Sequence, residues 1–370
     1  MMKINVTKPY LPPIDEYIAK ISKIWDNHIL TNYGPLNNEF VEKLKKYLQV
    51  DNLHYVTNGT IALQLAIDSL KIKSGEIITT PFTFVATTSS IVWQSYKPIF
   101  VDIEPNTFNI DPNKIEEKIT EKTRAILAVH CFGFPCDVLK LELISKKYNI
   151  PIIYDAAHCF GINYNNQSLL KYGDISICSL HATKLFHSIE GGICVVNNLE
   201  YNDSINAKKN FGLLNNNYEY VGINAKASEF NAAMGLCVLD HFKDIIAYRK
   251  NITLLYKKLL SDKISIPSVS NKCEYNYIYF PILLENEDQV NNVIFELNKE
   301  NIYPRRYFYP CINEMLPYVD NSKTPIASDI SSRILCLPLD TYITELEVEK
   351  ICIIINDVVN KKDKCINLKK

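Results

Sequence analysis

Short apolar segments alternate with longer segments of helical spacing from about residue 54 to residue 196. Each short segment is rich in β-branched residues, which favour strands over helices. The segments are 54–57, 77–80, 98–103, 125–130, 151–154, 175–180 and 193–196. Apolar strands that alternate with helices are typical of a sheet whose two faces are both covered. The pattern therefore predicts an α/β fold with a largely parallel sheet.

The alternation stops after Gly222, and a second, smaller unit is predicted beyond it. Residues 225–260 have helical character and contain no proline, so we expect two helices joined at a bend. The smaller unit should contain an apolar strand in 277–284, a helix at 288–299, a proline-containing loop at 304–317, a strand at 334–337 and a terminal helix at 344–359. We place the boundary near residue 245, which gives a large domain, 1–245, and a small domain, 246–370.

The overall composition excludes several classes of protein. With a formal net charge of −1, the chain has no basic stripe of the kind that binds nucleic acid. Its first residues lack the apolar core of a signal peptide, and no apolar run reaches the roughly eighteen residues of a membrane span. The eleven cysteines are scattered without the spacing of a disulfide framework. We therefore expect a cytoplasmic protein with reduced thiols that binds neither nucleic acid nor a membrane.

Two residues in this pattern carry chemistry. Asp155 ends one apolar segment and Lys184 follows the next, and open α/β sheets bind ligands at the carboxyl ends of their strands. A carboxylate can keep a pyridine nitrogen protonated and a neutral lysine can form a Schiff base, which are the two groups that a pyridoxal-phosphate enzyme needs. Taken alone, Asp155 also fits a helix N-cap, and Lys184 a surface loop. The residues around Lys184 favour the chemical interpretation, because Ser179 and His181 precede it and 190–192, Glu-Gly-Gly, follow it.

A second group of residues offers sites for an anion and an aromatic ring. Residues 58–60, Asn-Gly-Thr, join a predicted strand to a predicted helix. The backbone N–H groups and the Thr60 hydroxyl therefore lie at a helix N-terminus, which favours a phosphate. Phe84 follows the next strand, where an aromatic side chain can stack on a pyridine ring. Without further context, the Asn-Gly pair is also an ordinary turn, and Phe84 an ordinary core residue.

In their order and spacing, these motifs resemble the DegT/StrS family of sugar aminotransferases, which are fold-type I pyridoxal-phosphate (PLP) enzymes. The resemblance extends over nearly the whole chain. It rests on 31–35 with Phe40, 58–60, 81–87, 101–103, 109–112, 129–130 with Gly133, 155–158, 179–192 and 224–233. It implies a large domain with a mostly parallel seven-stranded sheet flanked by helices, followed by a smaller C-terminal α+β domain.

The resemblance also implies how PLP is bound. Lys184 would form the Schiff base with the cofactor and then move a proton, while Asp155 would pair with the ring nitrogen. Phe84 and His158 would flank the ring. The phosphate would be bound by Gly59, Thr60 and Ser179 and, from a neighbouring subunit, by Asn224. A site shared in this way implies an obligatory homodimer.

The substrate implied by the resemblance is a nucleotide-linked keto sugar. In relatives, a loop of the second domain contacts the nucleotide sugar, and residues 304–310 match it. Substrate contacts are therefore expected from Thr31, Arg306, Tyr307 and Tyr309. A guanidinium suits a diphosphate because its planar fork donates two hydrogen bonds. The implied reaction transfers an amino group from glutamate to the C4 keto group of a dTDP-4-keto-6-deoxyhexose, forming dTDP-4-amino-4,6-dideoxyglucose for surface polysaccharide biosynthesis.

Three alternatives stay open at this point. A C3 aminotransferase that acts on a dTDP-3-keto-6-deoxyhexose would share every cofactor-binding residue. A non-catalytic PLP-binding sensor would have no need of the loop 304–310. A metal site built from His130, Cys131, Cys136, His158 and Cys159 is disfavoured, because its two nearest cysteines lack the paired short spacings of structural zinc. We therefore expect no metal.

The chain departs from the family pattern at two positions. The family usually has glycine at the position of Ile189 and arginine at the position of Lys226. The first departure affects the loop after Lys184, and the second a polar contact, but neither removes a catalytic group. A dehydratase branch of the family has histidine in place of the lysine, so Lys184 argues against that branch.

Overall fold

The computed structural model describes residues 3–70, 72 and 74–366, with the backbone alone for 361–366. Its strands are β1 (Ile4–Asn5), β2 (Leu53–Val56), β3 (Gly75–Thr79), β4 (Tyr96–Phe100), β5 (Thr123–Val129), β6 (Ile152–Asp155), β7 (Asn163–Tyr164), β8 (Gln167–Ser168), β9 (Ile175–Ser179), β10 (Gly192–Val196), β11 (Leu213–Leu214), β12 (Asn217–Tyr218), β13 (Cys273–Glu274), β14 (Phe280–Leu283), β15 (Ile302–Tyr303) and β16 (Ile334–Leu337). Its α-helices are α1 (Ile14–Asn27), α2 (Pro35–Leu48), α3 (Gly59–Asp68), α4 (Val85–Trp93), α5 (Val138–Tyr148), α6 (Asn202–Lys208), α7 (Glu229–Asp240), α8 (Phe242–Leu259), α9 (Glu287–Lys299), α10 (Ile312–Met315), α11 (Pro325–Arg333) and α12 (Glu345–Ile366).

The central sheet has seven strands in the order β2–β10–β9–β6–β5–β3–β4. From β9 to β4 all neighbouring pairs are parallel, whereas β10 is antiparallel to both β2 and β9. The reversed pair has Gly192 opposite Ser179 and Val196 opposite Ile175. The predicted α/β fold with a mostly parallel sheet is confirmed, and each predicted apolar segment overlaps one of these strands.

Strand β5 illustrates how both faces of the sheet are buried. Ile126 and Ala128 pack into the core on one face, and Ala125, Leu127 and Val129 pack into the core on the other. Since helices cover both faces, the strand has no polar side. This is why it reads in the sequence as a continuous apolar segment rather than an alternating one.

The crossover helices begin at side chains that cap them. Oδ1 of Asn58 accepts a hydrogen bond from the Ile61 backbone N–H at the start of α3 (2.8 Å). Oδ1 of Asp137 accepts one from the Lys140 backbone N–H at the start of α5 (3.1 Å). Helix α5 ends at Tyr148, and the next residue, Asn149, has a φ of 52°, the left-handed conformation that commonly follows a helix. Both helices lie in the segments of helical spacing that separate the predicted strands.

The small unit is built on the antiparallel pair β14–β16, packed against α9 and α12. Helix α8 runs through the predicted boundary at residue 245. Ile245 belongs to the core of the large unit, whereas Ile252 and Tyr256 belong to the core of the small one. The boundary stays a prediction, which this division of side chains supports. Strand β1 pairs with β15 of the small unit, although the prediction assigned the N-terminal segment to the large domain.

No helix within residues 3–70, 72 and 74–366 combines the length and apolarity that a membrane span requires. The same residues contain no cluster of three or more His, Cys, Asp or Glu side chains placed to hold a metal ion. Two members of the disfavoured metal site have structural partners instead. The Cys136 backbone N–H donates to Nδ1 of His130 (3.0 Å), and the Cys136 thiol donates to the Val129 carbonyl (3.2 Å).

Candidate active site

A cavity of about 530 Å³ opens at the carboxyl end of the central sheet, where β6 and β9 end. Open α/β sheets bind ligands at this edge. Among the residues that line it are Gly59, Thr60, Phe84, Asp155, His158, Ser179, Lys184 and Tyr307. Candidate residues that are far apart in the sequence therefore meet around one cavity.

Asp155 is buried at the end of β6 and is held by two hydrogen bonds. The Thr87 hydroxyl donates to Oδ2 (2.7 Å), and the Ala157 backbone N–H donates to Oδ1 (3.1 Å). Burial raises the pKa of Asp155, while the two hydrogen bonds and the Lys184 amine act in the opposite direction. A carboxylate desolvated in this way favours a cationic partner, such as a protonated ring nitrogen.

Lys184 lies in the loop between β9 and β10, which are neighbours in the sheet. Its backbone N–H donates to the His181 carbonyl (2.8 Å), which forms a turn at the start of the loop. Burial lowers the pKa of Lys184, and the Asp155 carboxylate opposes this shift. A lowered pKa increases the fraction of neutral amine, the form that attacks a carbonyl group.

The N-terminus of α3 faces the cavity through Gly59 and Thr60. Because they are the first residues of the helix, their backbone N–H groups have no partner within it. A Cβ atom at residue 59 would lie 3.0 Å from Cβ of Ser179, and one at residue 192 would lie 2.4 Å from the carbonyl carbon of Asn58. Glycine at both positions therefore lets β9 and β10 pack closely against this turn, and leaves an anion cradle at the helix end.

Two aromatic rings face the position between the acid and the cradle. Nδ1 of His158 accepts a hydrogen bond from the Phe132 backbone N–H (3.1 Å), so the ring proton is on Nε2. Burial holds the pKa of His158 well below its usual value, which keeps the ring neutral. Phe84 precedes α4 and keeps 58% of its surface exposed, which leaves an aromatic face for a ligand.

These observations test whether the cavity fits PLP. The pyridinium nitrogen needs an acid, the aldehyde needs an amine, and the phosphate needs an anion site. Asp155, Lys184 and the N-terminus of α3 provide these three groups around one cavity. The residues present therefore fit the cofactor.

Arg306 and Tyr309 do not line the cavity, and their predicted substrate contacts stay predictions. The Arg306 guanidinium donates to Glu287 (3.0 Å) and to the carbonyl groups of Ser331 (3.4 Å) and Ser332 (2.9 Å). It also lies over the Tyr309 ring, 3.2 Å from the centroid. Arg306 therefore fastens its loop to α9 and α11 through its two terminal nitrogens, while its Nε is buried without a hydrogen-bond partner among the described residues.

The neighbouring Arg305 is exposed, and within the described part of the chain its guanidinium has no hydrogen bond or ion pair. Its backbone pairs with Cys336. Arg305 does not line the cavity itself, but its charge acts on Tyr307, which does. Burial raises the pKa of Tyr307 to about 12, and the charges of Lys184 and Arg305 oppose that shift.

Thr31 and Asn224 lie outside the cavity of their own chain. Thr31 is exposed in the bend that precedes α2. Asn224 pairs with Asn210, and its Oδ1 accepts a hydrogen bond from the Lys226 backbone N–H (3.4 Å). Their predicted contacts stay predictions, and the contact of Asn224 requires a second copy of the chain.

Several residues of the site were not predicted. Thr87 holds Asp155, and His181, Glu190 and Tyr279 line the cavity. Thr87 is in the segment that carried the resemblance, but a threonine has no signal of its own in a single sequence. His181 and Glu190 were noted only as neighbours of the lysine, and the pairing of β9 with β10 brings them together.

Comparison with known proteins places this cavity in context. The model of the DegT/DnrJ/EryC1/StrS aminotransferase family matches residues 14–356. A relative from Shigella dysenteriae, named dTDP-4-amino-4,6-dideoxy-D-glucose transaminase, is 42% identical over 366 residues, which cover 96% of this chain and 99% of the relative. A relative of the same name from Escherichia coli is 40% identical, with 94% and 96% covered. The crystal structure of DesI in the presence of its TDP-sugar product has a TM-score of 0.93 at 27% identity, over 100% of this chain and 96% of that one.

Proposed function

Because this chain belongs to the DegT/DnrJ/EryC1/StrS aminotransferase family, we propose that it transfers an amino group from glutamate to the C4 keto group of a dTDP-4-keto-6-deoxyhexose. The protein is an aminotransferase, and PLP is its cofactor. The proposed product is dTDP-4-amino-4,6-dideoxyglucose, the sugar in the names of the Shigella and Escherichia coli relatives. The observation that carries the proposal is the meeting of Lys184, Asp155 and the N-terminus of α3 at one cavity.

The residues that line the cavity have different roles in the reaction. When bound, PLP supplies an electron sink that stabilises negative charge on the carbon that loses a proton. Lys184 binds the cofactor and moves that proton, since its lowered pKa suits an amine that both accepts and donates. Asp155, buried and held by Thr87, keeps a proton on the ring nitrogen. The first residues of α3, with Ser179, bind the phosphate, and His158 and Phe84 flank the ring.

We assign binding of the diphosphate of the sugar nucleotide to Arg305. The assignment differs from the prediction for Arg306 and is supported by the exposure of Arg305, by the absence of a partner for its guanidinium among the described residues, and by the effect of its charge on Tyr307. A guanidinium without internal partners can donate two hydrogen bonds to a phosphate group. Tyr307 offers its ring to the sugar.

The proposed active unit is a homodimer in which Asn224 contacts the phosphate bound in the partner's site. Asn224 does not line the cavity of its own chain. Large apolar side chains near it are exposed, namely Phe211, Tyr218, Val221 and Ile223, with Val221 at 93%. A cluster of this kind favours burial against another protein surface, and a second copy would also bring Asn224 to a cavity.

One incubation tests the proposed reaction. The enzyme is mixed with glutamate and either dTDP-4-keto-6-deoxyglucose or a dTDP-3-keto isomer, and NMR locates the new amine. An amine at C4 is the expected result. Amination at C3 alone would identify the alternative aminotransferase, and a cofactor-loaded protein that turns over neither sugar would identify the sensor.

Borohydride reduction provides the matching test of the cofactor site. Reduction followed by peptide mapping should place the pyridoxyl label on Lys184, and Lys184→Ala should have neither label nor turnover. A label on another lysine would refute the assignment of Lys184.

A further inference from the structure

Two polar side chains face each other across the base of the loop that carries Lys184. The last β9–β10 pair is Ser179 with Gly192. Two positions beyond that pair lie His181 and Glu190, and both line the cavity. Nε2 of His181 is 3.4 Å from Oε1 of Glu190. Their side chains are 43% and 56% exposed, so the pair lies where a solute enters the cavity.

The hydrogen bonds of His181 determine which of its nitrogens carries the proton. The Thr183 backbone N–H donates to Nδ1 (3.2 Å), and the Thr183 hydroxyl lies 2.8 Å from the same atom. Nδ1 is therefore an acceptor, and the proton is on Nε2, which faces Glu190. His181 thus contacts one carboxylate oxygen through Nε2. Within the described residues no other side chain donates to this carboxylate, so Oε2 has room for a ligand.

The charge of Glu190 restricts which ligand groups it can bind. It repels the carboxylates of glutamate and the diphosphate of a sugar nucleotide, since all of them are negative. The ammonium group of glutamate has to reach the cofactor beside Lys184, and so it does not stay at the entrance. Neutral hydroxyl groups remain, and a carboxylate accepts several hydrogen bonds from them. The hexose ring supplies such hydroxyls beside the reacting keto carbon, whereas the single hydroxyl of the deoxyribose lies on the other side of the diphosphate.

We propose that Glu190 binds ring hydroxyl groups of the sugar and that His181 is the positioning residue that orients its carboxylate. This role rests on the proposed function, because it takes a keto sugar as the substrate. The proposed role distinguishes the two half-reactions, because Glu190 contributes to recognition of the sugar and not to recognition of glutamate.

The test uses the holoenzyme and two readouts. Calorimetry with dTDP-4-amino-4,6-dideoxyglucose as the probe should give a Kd at least about tenfold higher for Glu190→Gln than for wild type, because a charged acceptor is lost. The glutamate half-reaction, followed by cofactor absorbance, should change less than about twofold. His181→Phe keeps a ring but removes the N–H donor, and should raise the Kd in the same direction by less. Glu117→Gln, an exposed glutamate that does not line the cavity, is the matched control.

Several results would overturn the assignment. These are an unchanged Kd in Glu190→Gln, equal losses in both half-reactions, or a lower melting temperature together with losses in both, which would indicate a purely structural loop residue. Failure of the proposed function is a different result: wild type itself would neither bind the amino sugar nor aminate the keto sugar. If wild type does both and Glu190→Gln matches it, only the role of Glu190 fails.

Discussion

Ile189, in the loop after Lys184, has a left-handed backbone conformation with a φ of 64°. A β-branched side chain is unfavourable there, because its Cβ crowds the backbone, whereas glycine has no Cβ. The structure therefore gives a physical reason for the glycine that the family usually has at this position. This chain has isoleucine there and still adopts the left-handed conformation.

Two substitutions at this position measure the backbone effect. Ile189→Gly and Ile189→Ala both remove the large side chain, but only alanine keeps a Cβ atom. We expect Ile189→Gly to be more stable than Ile189→Ala by about 1 kcal/mol, which urea unfolding can measure. At an ordinary helical or extended position the order would be reversed. Equal or reversed stabilities would therefore mean that the loop is not left-handed at residue 189.

Arg305 and Arg306 form a natural pair of variants. Arg305→Ala should raise the KM for the sugar nucleotide by about tenfold or more, because a charged hydrogen bond to the diphosphate is lost, and should leave the glutamate half-reaction intact. Arg306→Ala should mainly lower the melting temperature, since it removes donors to Glu287 and to two carbonyl groups of α11. Steady-state kinetics and thermal unfolding of both variants decide the assignment. If KM changed only in Arg306→Ala, the prediction for Arg306 would hold and the assignment of Arg305 would fail.

At the scale of single residues, the sequence identified charged groups of the site but not the residues that form hydrogen bonds with them. Asp155 and Lys184 could be predicted because each follows an apolar strand, at the edge where such sheets bind ligands. Thr87 could not be identified, because its hydrogen bond to Asp155 depends on how α4 approaches β6. Arg305 and Arg306 are identical and adjacent in sequence, and only the structure shows that Arg306 has partners within the protein whereas Arg305 is exposed.

At the scale of helices and strands, the apolar pattern predicted where each strand of the central sheet lies but not the direction in which it runs. Each strand of the central sheet overlaps a predicted segment, but the reversal of β10 was not predicted. A buried strand has the same composition whichever way it runs, so its direction depends on its neighbours. The start of α2 has a similar long-range cause. The Glu229 carboxylate accepts hydrogen bonds from the Leu36 (2.8 Å) and Asn37 (2.7 Å) backbone N–H groups.

A prediction at the scale of helices and strands concerns the start of helix α3. Gly59→Ala would place a methyl group 3.0 Å from Cβ of Ser179, which forces the helix end away from the strand and disturbs the anion cradle. We expect the Kd of the apoenzyme for PLP to rise by about tenfold, as measured by a fluorescence titration. Gln64→Ala changes the same helix outside the cavity and should leave the Kd unchanged. Wild-type affinity in Gly59→Ala would exclude the helix end from phosphate binding.

At the scale of the whole molecule, mixed dimers test whether the site is shared. Lys184→Ala and Asn224→Ala should each be nearly inactive alone. If Asn224 serves the partner's site as proposed, a mixed dimer of the two has one site with both substitutions and one site with neither. Random association during co-expression should therefore restore about a quarter of wild-type activity.

The same co-expression experiment would also show if the site is not shared. If each site used the Asn224 of its own chain, no mixed dimer would contain an intact site, and activity would stay at the level of the parents. Analytical ultracentrifugation of wild type should independently give the mass of a dimer. A monomer with full activity would contradict the shared site.

Two buried histidines make the stability of the molecule sensitive to acid. Burial lowers the pKa of His54 and of His130 to about 3, from an ordinary value of 6.5. Between these values the unfolded chain binds protons that the folded chain excludes, so stability is lost as the pH falls below about 6.5. At pH 5 the loss amounts to about 2 kcal/mol for each histidine.

Urea unfolding of the apoenzyme at pH 7 and pH 5 tests this sensitivity. His54→Gln cannot be protonated, so its stability should fall between the two pH values by about 2 kcal/mol less than that of wild type. Glutamine keeps a polar group near Asn202, which contacts His54 in wild type (3.0 Å). Parallel pH profiles for wild type and His54→Gln would mean that the imidazole is already accessible to protons in the folded state.

Strand β10 runs against both of its neighbours, so residues 180–191 leave and re-enter the sheet at the same edge. Both ends of this loop are therefore anchored in adjacent strands. Crossover connections elsewhere in the chain can absorb an added residue in an exposed turn before or after their helix. An insertion or deletion within 180–191 would instead move the lysine along the sheet edge or slip β10 by one residue and turn its side chains over. We therefore expect changes of length to be tolerated least in this loop.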